Sequence, residues 1–346
     1  MTDRVLEIDM IARLTGHFAR SPLQANRLQQ SDSEIIRVPD GSPIDLAITM
    51  DSIAEEIQGG LYTDPYMIGW MAVMVNMSDL AAVGAEPFGI VISEILDNRC
   101  TPEFIETMQR GIQDACTACN SYVLGGDTNS GQQLILSGCA LGRVRRGAAL
   151  MRTGCQAGDV LYATGPLGTG NAYALGLLEP HLRSRITYLP QPRLQQGIAL
   201  REFATACMDT SDGVLGTVDE LVRLNRLGFS FTPDWERALD AAAHEVASRA
   251  NIPAWLLLGG IHGEFELLFT IPPEREPDML QAARSRGWEM LMLGTLTAAP
   301  EVLLPIEGSP HPVDTAVVRN LGHTLSHDPR GYLRALLDLH DKIVTS

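Results

Sequence analysis

The pattern of hydrophobic positions in the first 150 residues predicts short strands interrupted by two helices. Alternating, β-branched stretches at 46–51, 122–124 and 134–144 are typical of strands. The segments Thr63-Asp64-Pro65 and Thr101-Pro102-Glu103 each indicate the start of a helix, because a side-chain oxygen caps the first turn and proline suits its first position. This mixture predicts an α/β or α+β domain.

The rest of the chain repeats the alternation. A strand at 160–164 follows a basic, turn-rich segment at 147–158, and strands and helices continue to about residue 297. A periodic segment at 332–343 predicts one helix in the tail. The predicted organisation is an N-terminal domain, a C-terminal α/β domain and a tail, at 1–147, 148–298 and 299–346.

Composition excludes several classes of protein. A net charge of −16 would repel a nucleic-acid backbone, so no nucleic-acid partner is expected. The most apolar stretch, 70–83, is shorter than the roughly 20 residues that span a bilayer and contains Asp79, so no membrane segment is expected. The start of the chain lacks the pattern of a signal peptide, which favours the cytoplasm. The six cysteines lack a second pair at zinc-ligand spacing, which favours reduced thiols.

Lysine is almost absent from the chain. Of the 26 basic residues only Lys342 is a lysine, and it lies close to the C-terminus. A Walker-type phosphate loop, a protein-kinase fold and a pyridoxal enzyme each need a lysine within the fold. If this chain uses ATP, metal ions and arginine must therefore neutralise the phosphates.

The most apolar predicted helix carries two polar residues. Asn76 and Asp79 are three residues apart and therefore share one face of that helix. A buried carboxylate is costly unless it is hydrogen-bonded or binds a cation. Two interpretations stay open, a satisfied hydrogen bond between helices and a magnesium ligand.

Other aspartates lie beside glycines where strands end or helices begin. Asp127 lies in the sequence GGDTNSG, and Asp212 lies in MDTSDG. Aspartate is common in turns and helix caps, which is one interpretation of these positions. Flanking glycines also allow the backbone to approach phosphate oxygens, which is the alternative. Asp32, Asp51 and Asp209 allow the same two interpretations.

In order along the chain, these stretches resemble the thiamine-monophosphate kinase family, within the superfamily of aminoimidazole ribonucleotide synthetase (PurM-like proteins). The resemblance covers about 30–297. The motifs that carry it are TMD at 49–51, VNMSDLAAVGAEP at 75–87, GGDT at 125–128, CALGRV at 139–144, LMRTGCQAGDVLYATGPLG at 150–168, DTSDG at 209–213 and GEFELLFT at 263–270.

The resemblance implies a fold and a chemistry. It implies a two-domain PurM-like α/β fold whose N-terminal sheets pair into a dimeric β-barrel, with ATP and Mg²⁺ near the junction with the C-terminal domain. A carboxylate cluster that holds magnesium can support phosphoryl transfer without lysine. The residues that it implies are Asp32, Asp51, Asp79, Asp127 and Asp212 for metal, Asp127 and Asp212 for catalysis, Gly125, Gly126, Asp127, Thr128, Arg152 and Ser211 for the nucleotide, and Gln58, His262 and Glu264 for the acceptor.

The sequence departs from the kinase pattern in three places. A glycine–aspartate–aspartate motif becomes Ser31-Asp32-Ser33-Glu34, which leaves one aspartate and puts the number of metal ions in doubt. A histidine expected after Asp51 is missing where Gln58 stands, and GGEDYE becomes GGIHGEFE at 259–266. The last two departures lie in the family's acceptor region, so the acceptor can differ.

Two groups of residues keep alternative interpretations. His262 is either a general base or acceptor contact, or a solvated histidine in a glycine-rich loop. Arg143, Arg145 and Arg146 form either a solvated basic turn or a phosphate contact.

Three functions are compatible with these residues and motifs. The first is transfer of a phosphoryl group from ATP to thiamine monophosphate or a related acceptor. The second is ATP-dependent activation of an amide or carbonyl oxygen, as in other members of the superfamily. The third is a non-catalytic nucleotide-binding dimer, suggested by the altered motifs.

Overall fold

A computed structural model describes residues 5–179, 181–182, 186–260 and 262–345. The chain forms two compact units. The N-terminal unit comprises Pro22–Met151 and Leu189–Glu202, and the C-terminal unit comprises Met1–Ser21, Arg152–Tyr188 and Phe203–Ser346.

The helices and strands follow in chain order. The first half contains α1 Leu6–Thr15, β1 Glu34–Arg37, β2 Ile44–Ser52, α2 Ala54–Gln58, α3 Pro65–Ala82, β3 Glu86–Asp97, α4 Pro102–Ala118, β4 Val123–Gly131 and β5 Ile135–Arg145. The second half contains β6 Val160–Ala163, α5 Thr169–Leu178, α6 Leu194–Leu200, β7 Ala206–Asp209, α7 Val214–Asn225, β8 Gly228–Phe231, α8 Ala241–Ala250, α9 Leu256–Gly259, β9 Leu267–Ile271, α10 Glu276–Ser285, β10 Leu291–Thr297, β11 Val302–Ile306, β12 Ser309–Pro312, α11 Thr315–Leu325 and α12 Pro329–Thr345.

The N-terminal unit is built on a five-stranded sheet of order β1-β2-β5-β3-β4. Its pairs are antiparallel except β3 with β4. The helix α3 packs against this sheet, and its first turn is fixed by Pro65 and by Asp64, whose Oδ1 accepts the backbone N–H of Met67 at 2.9 Å. Most of α3 is buried, because its apolar residues surround the helix rather than forming one stripe.

Two glycines allow α3 and α4 to cross at close range. A Cβ at Gly69 would lie 1.9 Å from the carbonyl oxygen of Met108, and a Cβ at Gly111 would lie 2.1 Å from that of Tyr66. Both obstacles are backbone atoms, which cannot rotate away. The helix pair therefore requires glycine at both positions.

We expect Gly69→Ala to destabilise the protein by about 3 kcal/mol or more, because the added methyl group must force the helices apart. Chemical denaturation of the variant measures the change. Gly125→Ala is the control, because a Cβ there has no atom within 4 Å. Equal stability of Gly69→Ala and the wild type would contradict the close packing.

The strand β4 lies at an edge of the sheet and is exposed along its whole length. Val123 and Leu124 are 46% and 54% exposed, and the preceding Tyr122 is 69% exposed. Gly125, Gly126 and Asp127 were expected to form a loop after a strand at 122–124, but they lie within β4. The reason is their pairing with β3, where Ser93 stands opposite Asp127.

The C-terminal unit contains a seven-stranded sheet of order β12-β11-β8-β10-β6-β9-β7. Helices α7, α9, α11 and α12 contribute to a hydrophobic core around it, with Trp255 and Phe229 among its largest buried side chains. The α/β class predicted from the sequence is confirmed.

The tail contains more structure than the one predicted helix. Residues 302–306 and 309–312 form two strands of the C-terminal sheet, and two helices, α11 and α12, follow them. The predicted boundaries at 147/148 and 298/299 did not include two crossings of the chain between the units. Residues 5–21 belong to the C-terminal unit, and residues 189–202 belong to the N-terminal unit.

Among residues 5–179, 181–182, 186–260 and 262–345, no helix has the length and apolar character needed to cross a bilayer.

Candidate functional site

Two of the predicted metal ligands lie together in the N-terminal unit. A carboxylate oxygen of Asp32 and one of Asp79 lie within 4.8 Å of each other. Asp32 is in the chain before β1 and Asp79 is in the last turns of α3, so the fold joins residues that are far apart in the sequence. Both side chains are half-buried.

Neighbouring polar groups hold this pair in place. The Thr49 hydroxyl on β2 donates a hydrogen bond to Oδ2 of Asp79. Asn76, one turn before Asp79, accepts the backbone N–H of Asp51 at 3.1 Å and donates to the carbonyl of Ala72 at 3.1 Å. The end of β2 is therefore fixed to the helix that carries Asp79.

This donor set fits a magnesium ion. Hard divalent cations bind carboxylate oxygens, and a cation offsets the repulsion between two carboxylates that lie so close. Of the polar pair on α3, Asn76 makes structural hydrogen bonds within the N-terminal unit. Asp79 accepts the Thr49 hydroxyl and also lies close to the Asp32 carboxylate, so its interpretation as a magnesium ligand stays a prediction.

Asp127 lies apart from this carboxylate pair. Across the sheet, Ser52 pairs with Ser137, Ser137 with Ser93, and Ser93 with Asp127. Three strand spacings of about 4.8 Å separate Asp127 from the end of β2, which is roughly 14 Å. One ion cannot bind both Asp127 and the ligands around β2 within a single chain.

The predicted nucleotide-binding residues Gly125, Gly126, Asp127 and Thr128 all lie on the exposed strand β4. Asp127 and Thr128 are exposed, and Asn129 donates a hydrogen bond to Oδ2 of Asp127 at 2.7 Å. A Cβ added at Gly125 would have no atom within 4 Å, whereas a Cβ at Gly126 would lie 2.1 Å from the Ile92 carbonyl oxygen. Gly126 is thus required by the strand pairing itself.

The predicted acidic motif of the C-terminal unit forms the turn between β7 and α7. Asp209 is buried at the end of β7, and its Oδ1 accepts the Ser211 hydroxyl at 2.8 Å. Asp212 is exposed just before α7. Gly213 begins the helix with φ +78°, and a Cβ there would lie 2.0 Å from the Gly260 carbonyl oxygen.

Arg152 is held by a residue that the sequence did not indicate. The Asn225 side chain, at the end of α7, donates to the Arg152 carbonyl at 2.9 Å and accepts the Gly154 N–H at 2.8 Å. Gly154 has φ +127°, which favours glycine. Asn225 had no recognisable motif around it, so only the fold identifies its role.

Glu264 is a buried carboxyl group in the C-terminal unit. It accepts the backbone N–H of Gly168 at 2.8 Å, just before α5. Burial raises the pKa of Glu264 to about 8, and the nearby Glu266 carboxylate adds to that rise. Phe265, between the two glutamates, has φ +60° although it is not glycine, which indicates a strained backbone.

His262 is buried, so its interpretation as a solvated loop residue is wrong. Its ring centroid lies 4.9 Å from that of Tyr188 and 6.4 Å from that of Tyr173. Burial lowers the pKa of His262 to about 3, so the ring is neutral near pH 7. The preceding Ile261, part of the altered motif, lies outside the described residues.

Gln58, the remaining acceptor candidate, is exposed at the end of α2 in the N-terminal unit. Its exposed side chain is compatible with ligand binding, but no contact within the described residues indicates a ligand.

Comparisons with known proteins agree with this architecture. Residues 30–144 match the family of AIR synthase related proteins, N-terminal domain. Thiamine-monophosphate kinase of Methanospirillum hungatei JF-1 is 31% identical over 245 residues, covering 70% of this chain and 80% of that relative. The chain belongs to the thiamine-monophosphate kinase family.

Two further comparisons extend over most of the chain. Thiamine-monophosphate kinase of Escherichia coli K12 is 28% identical over 319 residues, covering 89% of this chain and 96% of that relative. The solved structure of AaThiL complexed with AMPPCP and TMP has a TM-score of 0.70 at 20% identity and covers 88% of this chain and 94% of that chain. The resemblance stated from the sequence motifs is thereby confirmed, and the fold is that of the kinase family.

Proposed function

We propose that this chain is an ATP-dependent kinase that phosphorylates thiamine monophosphate. In the reaction, the bond between the β–γ bridging oxygen and the γ-phosphorus of ATP breaks, and a phosphate oxygen of thiamine monophosphate bonds to that phosphorus. The products are ADP and thiamine diphosphate. The paired carboxylates of Asp32 and Asp79 carry the proposal, together with membership of the family.

Magnesium is the proposed cation of the carboxylate pair. Asp32 and Asp79 would hold it, and Asp51 is a further candidate because its backbone is fixed to Asn76 beside them. When bound, Mg²⁺ neutralises charge on the transferring phosphoryl group. Asp127 and Asp212 stay predicted ligands. Because Asp127 lies roughly 14 Å from the end of β2, we propose that it does not share an ion with the Asp79 of its own chain.

The remaining roles concern nucleotide and acceptor. We propose that Gly125, Thr128, Arg152 and Ser211 contact phosphates, with Asn225 orienting the loop of Arg152. Gly126 serves the packing of β3 against β4. His262 and Glu264 are proposed acceptor residues in the C-terminal unit, and Gln58 is one in the N-terminal unit. The proposed location of the enzyme is the cytoplasm, on the sequence pattern alone.

The uncovered strand β4 supports a homodimer. An exposed edge strand with apolar side chains is a template for pairing with another chain, and two copies of a surface can bury each other about a twofold axis. Asp127 lies on this strand. We propose that each Asp127 serves the nucleotide bound at the Asp79 of its partner.

Mixed dimers of two inactive variants test this arrangement. Asp127→Asn and Asp79→Asn chains, co-expressed with different tags, should regain about a quarter of wild-type turnover, because random pairing leaves one intact site in each heterodimer. Each variant alone is the control. Heterodimers without recovered turnover would show that Asp127 acts within its own chain.

The activity itself is tested by phosphorus NMR. Protein, Mg²⁺, ATP and thiamine monophosphate should give ADP and thiamine diphosphate at about 1 per second or faster. Release of free phosphate without diphosphate would favour activation of another acceptor, and absence of ATP binding would favour the non-catalytic alternative. A rise in melting temperature with Mg²⁺ and ATP separates binding from turnover.

A further inference from the structure

A basic pocket lies on the N-terminal unit, away from the proposed magnesium ligands. Its volume is about 410 Å³. The residues that line it are Pro43, Ile44, Glu86, Arg143, Val144, Arg145, Arg201 and Glu202. Three arginines thus meet two glutamates in one depression, on a chain whose net charge is −16.

One glutamate fixes two of the arginines. Arg143 Nη2 lies 3.3 Å from Oε2 of Glu86, and Arg201 Nη2 lies 3.7 Å from Oε1. Each guanidinium carries five N–H donors, so both keep donors that Glu86 does not use. The ion pairs therefore hold the two guanidinium groups in place without using all of their N–H donors.

Arg145 supplies the third guanidinium. It is exposed at the end of β5, and among the residues that the structure describes it has no ion-pair partner. The next arginine in the chain, Arg146, is instead paired with Asp45 at 3.5 Å and hydrogen-bonded to the carbonyl of Val38. Among the arginines at 143, 145 and 146, Arg145 is thus the one whose charge no ion pair within the described residues offsets.

The pocket is remote from the proposed magnesium ligands. In the pairing of β2 with β5, Arg145 stands opposite Ile44 and Gly138 stands opposite Asp51. Seven residues of strand separate Ile44 from Asp51, which is about 23 Å. A ligand in the pocket is therefore distinct from a nucleotide bound at Asp51 and Asp79.

The lining indicates the class of ligand. Guanidinium groups bind phosphate through paired N–H donors, while Pro43, Ile44 and Val144 offer an apolar wall. Glu202 can accept a hydrogen bond from a hydroxyl group. A volume of about 410 Å³ is within the range of small-molecule sites and far exceeds a phosphate ion.

We propose that the basic pocket binds a small organic phosphate, with the phosphoryl group on Arg145, Arg143 and Arg201 and a polyhydroxylated or heterocyclic part against the apolar wall. This site is independent of the proposed kinase activity, because none of its residues belongs to the carboxylate cluster.

Calorimetric titration with ribose 5-phosphate tests the proposal. The full chain is titrated at constant ionic strength in EDTA, so that magnesium-dependent binding at the carboxylates is absent. We expect saturable binding with a dissociation constant of about 1 mM or lower. Arg145→Gln should weaken it about tenfold, because a charge-assisted hydrogen bond is lost. The matched control is Arg110→Gln, an exposed arginine on α4 in the same unit, which should bind as the wild type does.

Further arms distinguish the ligands. Inorganic phosphate should bind more weakly than ribose 5-phosphate. ADP in EDTA should compete with ribose 5-phosphate for the pocket. Equal affinity for inorganic phosphate would overturn the organic part of the proposal. No saturable binding, or equal weakening by Arg145→Gln and Arg110→Gln, would overturn the site itself. Arg143→Gln provides a second variant, with the same expected loss.

Discussion

Asp79→Asn is expected to lower ATP turnover at least about a thousandfold while the fold stays intact. The amide keeps the shape of the side chain but loses the charge that attracts a divalent cation. Its oxygen can still accept the Thr49 hydroxyl, so the end of β2 stays attached to α3. Steady-state turnover and a thermal melt of the same sample separate the two effects.

The melting temperature without magnesium gives a second readout of Asp79. Because the carboxylates of Asp32 and Asp79 repel each other, Asp79→Asn should melt at a higher temperature than the wild type in EDTA, and Mg²⁺ should no longer raise it. Asp114→Asn is the control, since Asp114 lies on α4 and accepts the Tyr66 hydroxyl. Wild-type turnover by Asp79→Asn would refute the proposed metal site.

Much of the carboxylate site could be predicted from local sequence. Asp79 was conspicuous because a charged residue in a helix that is apolar all round requires a partner. Asp32 was one of several aspartates with two open interpretations, and only the family motif grouped it with Asp79. The closeness of the two depends on how the segment before β1 reaches α3. Thr49 was part of a recognised motif, but its hydrogen bond to Asp79 depends on the tertiary fold.

The misjudged elements have a common physical cause. The residues of β4 include glycine, aspartate and asparagine, which disfavour strands, and pairing with β3 overrides that preference. In the tail, short strands rich in proline gave no periodic signal, although they complete the C-terminal sheet. His262 is buried by Tyr173 and Tyr188, which are distant in the sequence. Long-range contacts decided each case.

Glu264 should make the stability of the C-terminal unit depend on pH. Its pKa in the folded protein, about 8, lies above the ordinary value of 4.5. A raised pKa means that the folded state binds the proton more tightly than the unfolded state does. The stabilisation is therefore complete below about pH 4.5 and is lost as the pH rises through 8. The pKa of His262 is lowered to about 3, so its contribution to the stability of the folded state is lost as the pH falls below 6.5.

Glu264→Gln isolates this contribution, because the amide resembles the protonated carboxyl group and does not titrate, while His262 is the same in both proteins. The variant and the wild type should melt at similar temperatures at pH 5. At pH 8.5 the variant should be more stable, by a free energy of unfolding on the order of several kcal/mol, which corresponds to roughly 5 °C or more. Glu274→Gln, an exposed carboxylate of the same unit, should show no such pH-dependent difference. If the melting temperatures of Glu264→Gln and the wild type keep a constant difference from pH 5 to 8.5, the pKa of Glu264 in the folded protein is not raised, and the prediction is refuted.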